Sequence, residues 1–281
     1  GHTPFGHTGE HYLNDVFHAR TGRWFFHNVQ SVRVLDGLCK RNLSLQVLDG
    51  VICHNGEFEQ QRFSVSGLST FKAFDRDVVA ACWRSGNEVI EHLQPMTLEG
   101  CVVRISDIIA YVGKDRQDAI RAGICDETTF DDGLGGAYNA WALGAFSADV
   151  VENSFGKDHI EMSEPAFLEL ARAKRENYLK IYGTGEVSGD FSHEMGELFA
   201  AMYDRIMSDL MGGNTEAPVF RHHIRFVNGW LGHYGEAYDW SDDLHQTTVD
   251  YIASMTDDYF MSYAQHLFPE SARLFPKRDH F

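Results

Sequence analysis

Basic residues are scarce in this chain: 24 Lys and Arg stand against 41 Asp and Glu, a formal charge of -17. Such a field repels a phosphate backbone, which argues against non-specific nucleic-acid binding. A small polyanion is not excluded, because a local cation cluster or a metal overrides a distant field. No apolar run approaches the length of a membrane span and no leader pattern is read at the start, so no membrane partner is expected. The five cysteines form no C-x-x-C pair. Reduced thiols and a cytoplasmic location are the expectation. Only six prolines interrupt 281 residues, which leaves room for long helices. No G-x-x-x-x-G-K-[ST] occurs, since Gly183 to Gly189 lacks the lysine, and there is no G-x-S-x-G. Neither a P-loop nor a serine-hydrolase elbow is supported.

Histidine, by contrast, is abundant: 15 in all, five of them within the first 27 residues. The chain opens with Gly rather than Met, directly on this dense stretch, and a further N-terminal segment is expected upstream. Beyond it the apolar period is helical. Val29, Val32, Leu35 and Leu38 recur at three- and four-residue intervals, as do Leu198, Met202, Ile206 and Leu210. The same period runs through Val249, Ile252, Tyr259 and Tyr263. Ser163-Glu164-Pro165 reads as a helix start, continuing to about Tyr182 with Gly183 as its stop. Alternation with period two is confined to short stretches such as Phe63 to Leu68. Glycine-rich punctuation near Asp132 to Gly136, Gly183 to Gly189 and Gly212 to Pro218 makes no convincing linker. The expectation is an all-α chain with little or no sheet, one domain over 1–281.

Three constellations carry chemistry. The first is Gly1-His2-Thr3-Pro4-Phe5-Gly6-His7-Thr8-Gly9-Glu10-His11. Histidine titrates nearest neutrality, so it suits proton transfer and metal ligation. His7 to His11 fits H-x-x-E-H, the pattern of inverted zinc proteases; alternatively, His7 is a base oriented by Glu10 one turn away. The second is His27-Asn28-Val29-Gln30-Ser31, with His27 entering a helix where backbone N–H groups favour an anion. The third is Arg104 to Tyr111, continuing through Lys114, Asp115 and Asp118. Tyr111, Asp115 and Asp118 follow Asp107 by 4, 8 and 11 residues and share its helical face. A carboxylate amid Val102, Val103, Ile105, Ile108 and Ile109 is costly unless paired or metal-bound. Partnership with Arg104 and Arg116 competes with metal ligation.

In their order and spacing these segments resemble the bacterial dGTPase-like deoxynucleoside triphosphate triphosphohydrolases of the HD-domain superfamily. That family carries an HD pair, then G-H-x-P-F-G-H-x-G-E, H-N-x-Q-S and A-D-x-I-A-Y. Here Gly1 to Glu10, His27 to Ser31 and Ser106 to Tyr111 take those places. Asn42 to Leu45, Asp49-Gly50 with His54, Leu98-Glu99-Gly100, Asp118 to Gly123, Met162-Ser163 and Asp250 to Asp257 add to the match, which runs to about residue 269. The ordered set displaces the protease reading.

The resemblance implies an all-α HD-type helical bundle, with 1–123 as metal and catalytic core and 124–281 as a helical C-terminal portion. It implies hydrolysis of dGTP or another dNTP to deoxynucleoside and inorganic triphosphate. A divalent metal, Mn, Mg or similar, would be held by a His, an HD pair and a distant Asp. Only the last has a counterpart here, Asp107; the other three ligands would lie upstream of Gly1. His7 takes the place of the catalytic base and Glu10 that of its orienting carboxylate. His2 and His27 take the places of triphosphate-contacting histidines, and Tyr111 and Asp115 those of phosphate and sugar contacts. Ile108 stands where relatives often have a charged residue, a contact for which Lys114 is the candidate substitute. Arg172, Lys174 and Arg175 lie where relatives supply basic phosphate contacts. A homo-oligomer is implied as well. The absent ligands and Ile108 keep open a catalytically silent nucleotide-binding or assembly subunit, and another HD phosphohydrolase is a third alternative.

Overall fold

The computed structural model describes residues 1–55, 60–67, 69–131, 133–134, 139–182 and 189–275. The helices that concern the site are, in chain order, α1 (Gly6–Thr21), α2 (His27–Val32), α3 (Leu45–Cys53), α4 (Leu98–Arg121) and α5 (Asn139–Ser154). They are followed by α6 (Glu164–Asn177), α7 (Gly189–Met211), α8 (Arg225–Leu231), α9 (Leu244–Ile252) and α10 (Asp257–Leu267). Among the described residues the sheet is one antiparallel pair, β1 (Arg62–Ser64) with β2 (His159–Glu161), Phe63 facing Ile160. The all-α expectation holds.

Local chemistry explains the boundaries. Ser163 caps α6 by accepting the Ala166 N–H, and a proline occupies its first turn, as its sequence predicts. After Asn177 the helix widens into a π-type turn over Tyr178–Tyr182. The glycine read as its stop, Gly183, lies outside the described residues, as do Leu68 and most of the Asp132–Gly136 and Gly183–Gly189 stretches. The periodic run from Val29 to Leu38 likewise begins in α2 and passes into a π-type turn, Arg33–Leu38. The period through Val249 to Tyr263 is not one helix. The chain leaves α9 after Ile252 and restarts at Thr256, whose side chain accepts the Tyr259 N–H and caps α10. Apolar spacing survives because both helices face the same core, and capping chemistry overrides the period.

The chain forms two compact units. The first comprises Gly1–Leu43, Asp75–Asn87 and Val187–Phe281; the second comprises Ser44–Phe74 and Glu88–Glu186. Residues 1–123 and 124–281 therefore each contribute to both units. In the first, α1, α7 and α9 pack together around Leu13, Phe17, Phe199, Met202, Tyr203, Val249 and Phe260. In the second, α4 is the central helix, with α3, α5, α6 and the strand pair against it. Its core gathers Cys101, Ile105, Ile109, Val112, Ala142, Phe146 and Ala173. α3 and α4 run close together, and a Cβ on Gly50 would make an ordinary van der Waals contact, 3.9 Å, with the Gly100 Cα. Asp49, buried beside it, accepts the Met96 N–H at 2.7 Å and so fixes the chain entering α4.

Candidate active site

The site in the first unit is built on the turn that opens the chain. Phe5 adopts a left-handed backbone, φ 61°, where few side chains other than glycine settle. Its N–H donates to Asp257 Oδ1 at 2.8 Å, and its ring packs against Phe199, Phe260 and Phe275. Thr3 Oγ1 donates to the Gly6 carbonyl at 2.9 Å. These contacts hold the residues between His2 and His7 in one conformation and launch α1. Gly9 closes the turn from the other side: a Cβ there would lie 1.7 Å from the Pro4 carbonyl oxygen. Gly9→Ala must push Thr3 and Pro4 away, an overpacking cost of about 1–3 kcal/mol. A lower melting temperature in a thermal scan is expected, and an unchanged one would show that the turn is not held as described.

From this turn His2 and His7 reach the surface beside His27, the first residue of α2. The His2 and His27 rings stack at 4.2 Å between centroids, and His7 meets both edge-on at 5.0 and 5.3 Å. One ring nitrogen from each lies within 4.8 Å of the others. Desolvation beside its neighbours, reinforced by the charges of His27 and His7, pulls His2 down to about 4. It is therefore uncharged at neutral pH.

Glu10 braces this cluster from beneath. It is buried, and its Oε1 accepts the His27 backbone N–H while Oε2 meets His27 Nδ1, both at 2.8 Å. Burial alone would raise this carboxyl; the hydrogen bond and charge of His27 outweigh it and hold it below the ordinary range. An ionised carboxylate only accepts, so His27 carries a proton on Nδ1. This corrects the pairing read from the sequence: the partner of Glu10 is His27, seventeen residues on, rather than His7 one turn away. The two surfaces of α1 divide the roles, with Glu10 facing inward while His7 faces out.

The third constellation lies on α4, in the second unit. Asp107, Tyr111 and Asp115 do share one face, Asp107 exposed and the other two half-buried. The burial penalty expected for Asp107 does not arise, because Val102 and Val103 beside it are exposed too. Nor does an ion pair with either arginine appear: Arg104 donates to the Leu93 carbonyl at 2.6 Å, and Arg116 pairs with Glu176 at 2.8 Å. Lys114 is engaged by Asp118. Ile108 packs on the second unit's core, which accounts for an apolar residue there. Arg172 is held by Glu169 and Asp131. Among the described residues, no group of three His, Cys, Asp or Glu side chains close enough for one metal includes Asp107. The described side chains therefore do not by themselves make the metal centre that the resemblance implies.

Two carboxylates that position the site escape a reading by motif. Asp257 anchors Phe5, and Asp250 accepts hydrogen bonds from Gln30 on α2 and from Arg33, the first residue of the π-type turn that continues it. Both stand in the Asp250 to Asp257 segment, where spacing gives no hint of a target more than two hundred residues away.

Fold and geometry together define a mainly helical protein carrying a carboxylate-braced histidine cluster suited to proton transfer and anion contact. Comparison with known proteins narrows this. The chain is 29% identical over 272 residues to a deoxyguanosinetriphosphate triphosphohydrolase-like protein of Clostridium tetani, covering 92% of this chain and 63% of that protein. Proteins with the same name from Desulfatibacillum aliphaticivorans and Agrobacterium fabrum are 28% and 27% identical, over 95% and 98% of this chain. The chain spans 67% and 73% of their lengths. No protein-family model matches. The similarity to proteins of this name thus runs along nearly all of this chain. Among the described residues no helix is long and apolar enough to cross a membrane.

Proposed function

We propose that this chain serves a phosphohydrolase that cleaves a deoxynucleoside triphosphate, dGTP or another dNTP, to the deoxynucleoside and inorganic triphosphate. The observation that carries the reading is the convergence of His2, His7 and His27 above a buried Glu10. Three imidazoles drawn together, His2 and His7 exposed and His27 buried, offer N–H donors to phosphate oxygens, and Glu10 fixes the His27 ring. In this reading His7 removes a proton from the water that attacks the α-phosphorus. His27 and His2 contact the triphosphate. Because His2 is neutral beforehand, an arriving polyanion favours its protonation, so the positive charge develops where negative charge has been brought. On α4, Tyr111 and Asp115 are assigned to phosphate and sugar, and Asp107 is the ligand this chain offers to a divalent metal such as Mn or Mg.

Product chromatography tests the reaction class. The whole product of the gene, incubated with dGTP and the other dNTPs in Mn2+ or Mg2+, is expected to release triphosphate. Pyrophosphate or orthophosphate as the first product overturns it. Among the described residues Asp107 stands outside any ligand cluster, which favours a second reading, a silent nucleotide-binding subunit that predicts dNTP binding with no product at all.

A further inference from the structure

We propose that His2, His7 and His27 also form a three-imidazole site for a borderline transition ion of the zinc class, distinct from the hard cation assigned to Asp107. The donor set points this way. It contains imidazole nitrogen alone, and such ligands favour Zn2+, Co2+, Ni2+ or Cu2+ over Mg2+ or Ca2+, which take oxygen. The scale is right as well. Zinc–imidazole bonds of about 2.0–2.1 Å in a tetrahedron place nitrogens roughly 3.4 Å apart. The three nitrogens already lie within 4.8 Å, and small rotations of the surface rings His2 and His7 close the difference.

The support behind the ligands is also that of a metal site. His27 is held through Nδ1 by Glu10, the carboxylate–histidine arrangement that orients a ligand and raises its basicity. His2 and His7 flank the turn pinned by Thr3, Phe5 and Asp257, so two of the three donors come from one braced segment. Three protein ligands leave a fourth position for water. A bound ion occupies the nitrogens that the hydrolase reading gives to triphosphate, so zinc should compete with dNTP. The site stands on ring geometry alone, and its failure would leave the hydrolase reading intact.

Cobalt is the probe, since its visible spectrum distinguishes nitrogen from thiolate ligation and five free cysteines are present. The reduced protein is titrated with Co2+ and, by calorimetry, with Zn2+, while circular dichroism confirms that each variant is folded. One equivalent should bind with a nitrogen-type spectrum. Glu10→Gln should weaken binding about 10–100-fold, as loss of a supporting carboxylate does elsewhere, and His2→Ala or His7→Ala at least as much. Cys39→Ser and Cys125→Ser should bind as the parent does. No binding, a thiolate spectrum abolished by the cysteine changes, or affinity unaltered in His7→Ala would each overturn the site.

Discussion

Replacing His7 by alanine is expected to lower triphosphate release by about 10²–10⁴-fold, the usual contribution of a positioned proton acceptor. The substrate KM should stay within a few-fold, because His2 and His27 remain to meet the phosphates. The expectation follows from position. His7 stands on the first turn of α1, exposed, with its ring edge toward both neighbours. Nothing in the buried structure depends on it, so the variant should fold as the parent does. Steady-state kinetics with each dNTP would check this, with melting temperature as the control for folding. The geometry supplies a rival within the same cluster. Glu10 orients His27 in the way a carboxylate orients a catalytic base. If His7→Ala keeps turnover within a few-fold while His27→Ala and Glu10→Gln each abolish it, the proton acceptor is His27. The assignment of His7 then fails.

That rivalry shows where sequence reading reached and where it stopped. Helical type was legible because apolar spacing is a local property, visible at Leu198, Met202, Ile206 and Leu210 without a partner helix. The cap at Ser163 was legible for the same reason. The break at Thr256 was not, because both helices turn apolar residues to one core and their spacing runs on across it. The grouping of His2, His7, Glu10 and His27 was legible, since the fold of the first unit gathers these side chains at one place. The pairing among them was not. Glu10 is one turn from His7 in sequence, yet α1 turns it inward, where the backbone and ring of His27 meet both its oxygens. On α4, spacing correctly placed Asp107, Tyr111 and Asp115 on one face, while the surroundings of that face depend on tertiary packing. Gln30 belongs to the H-N-x-Q-S segment for a reason that motif cannot express: its side chain donates to Asp250, 220 positions on.

Asp250 is accordingly the position where a single change should cost the first unit most. Its side chain has no solvent exposure and accepts five hydrogen bonds of 3.2 Å or less. Two come from Arg33, two from the amides of Gln30 and Gln246, and one from the Tyr238 hydroxyl. Asp250→Ala strands all of these donors, and breaking a buried pair this way costs about 3–5 kcal/mol. Arg33 keeps 30% of its side-chain exposure, so water recovers part of the loss and the lower end is expected, about 3 kcal/mol. Chemical denaturation should show this, and a loss under about 1 kcal/mol would contradict the account. The pH dependence has a definite sign. Burial alone would raise the Asp250 carboxyl, but the Arg33 hydrogen bond and charge, with Gln30 and Tyr238, bring it below the ordinary value. Its stabilisation is then complete at neutral pH, above the unfolded value of about 4, and fades as pH falls through that value toward the lower folded one. Parent and Asp250→Asn should therefore differ most near neutrality and converge in acid. Because Gln30 and Arg33 follow His27 within two turns, the same change should loosen α2 and with it the ring that Glu10 holds.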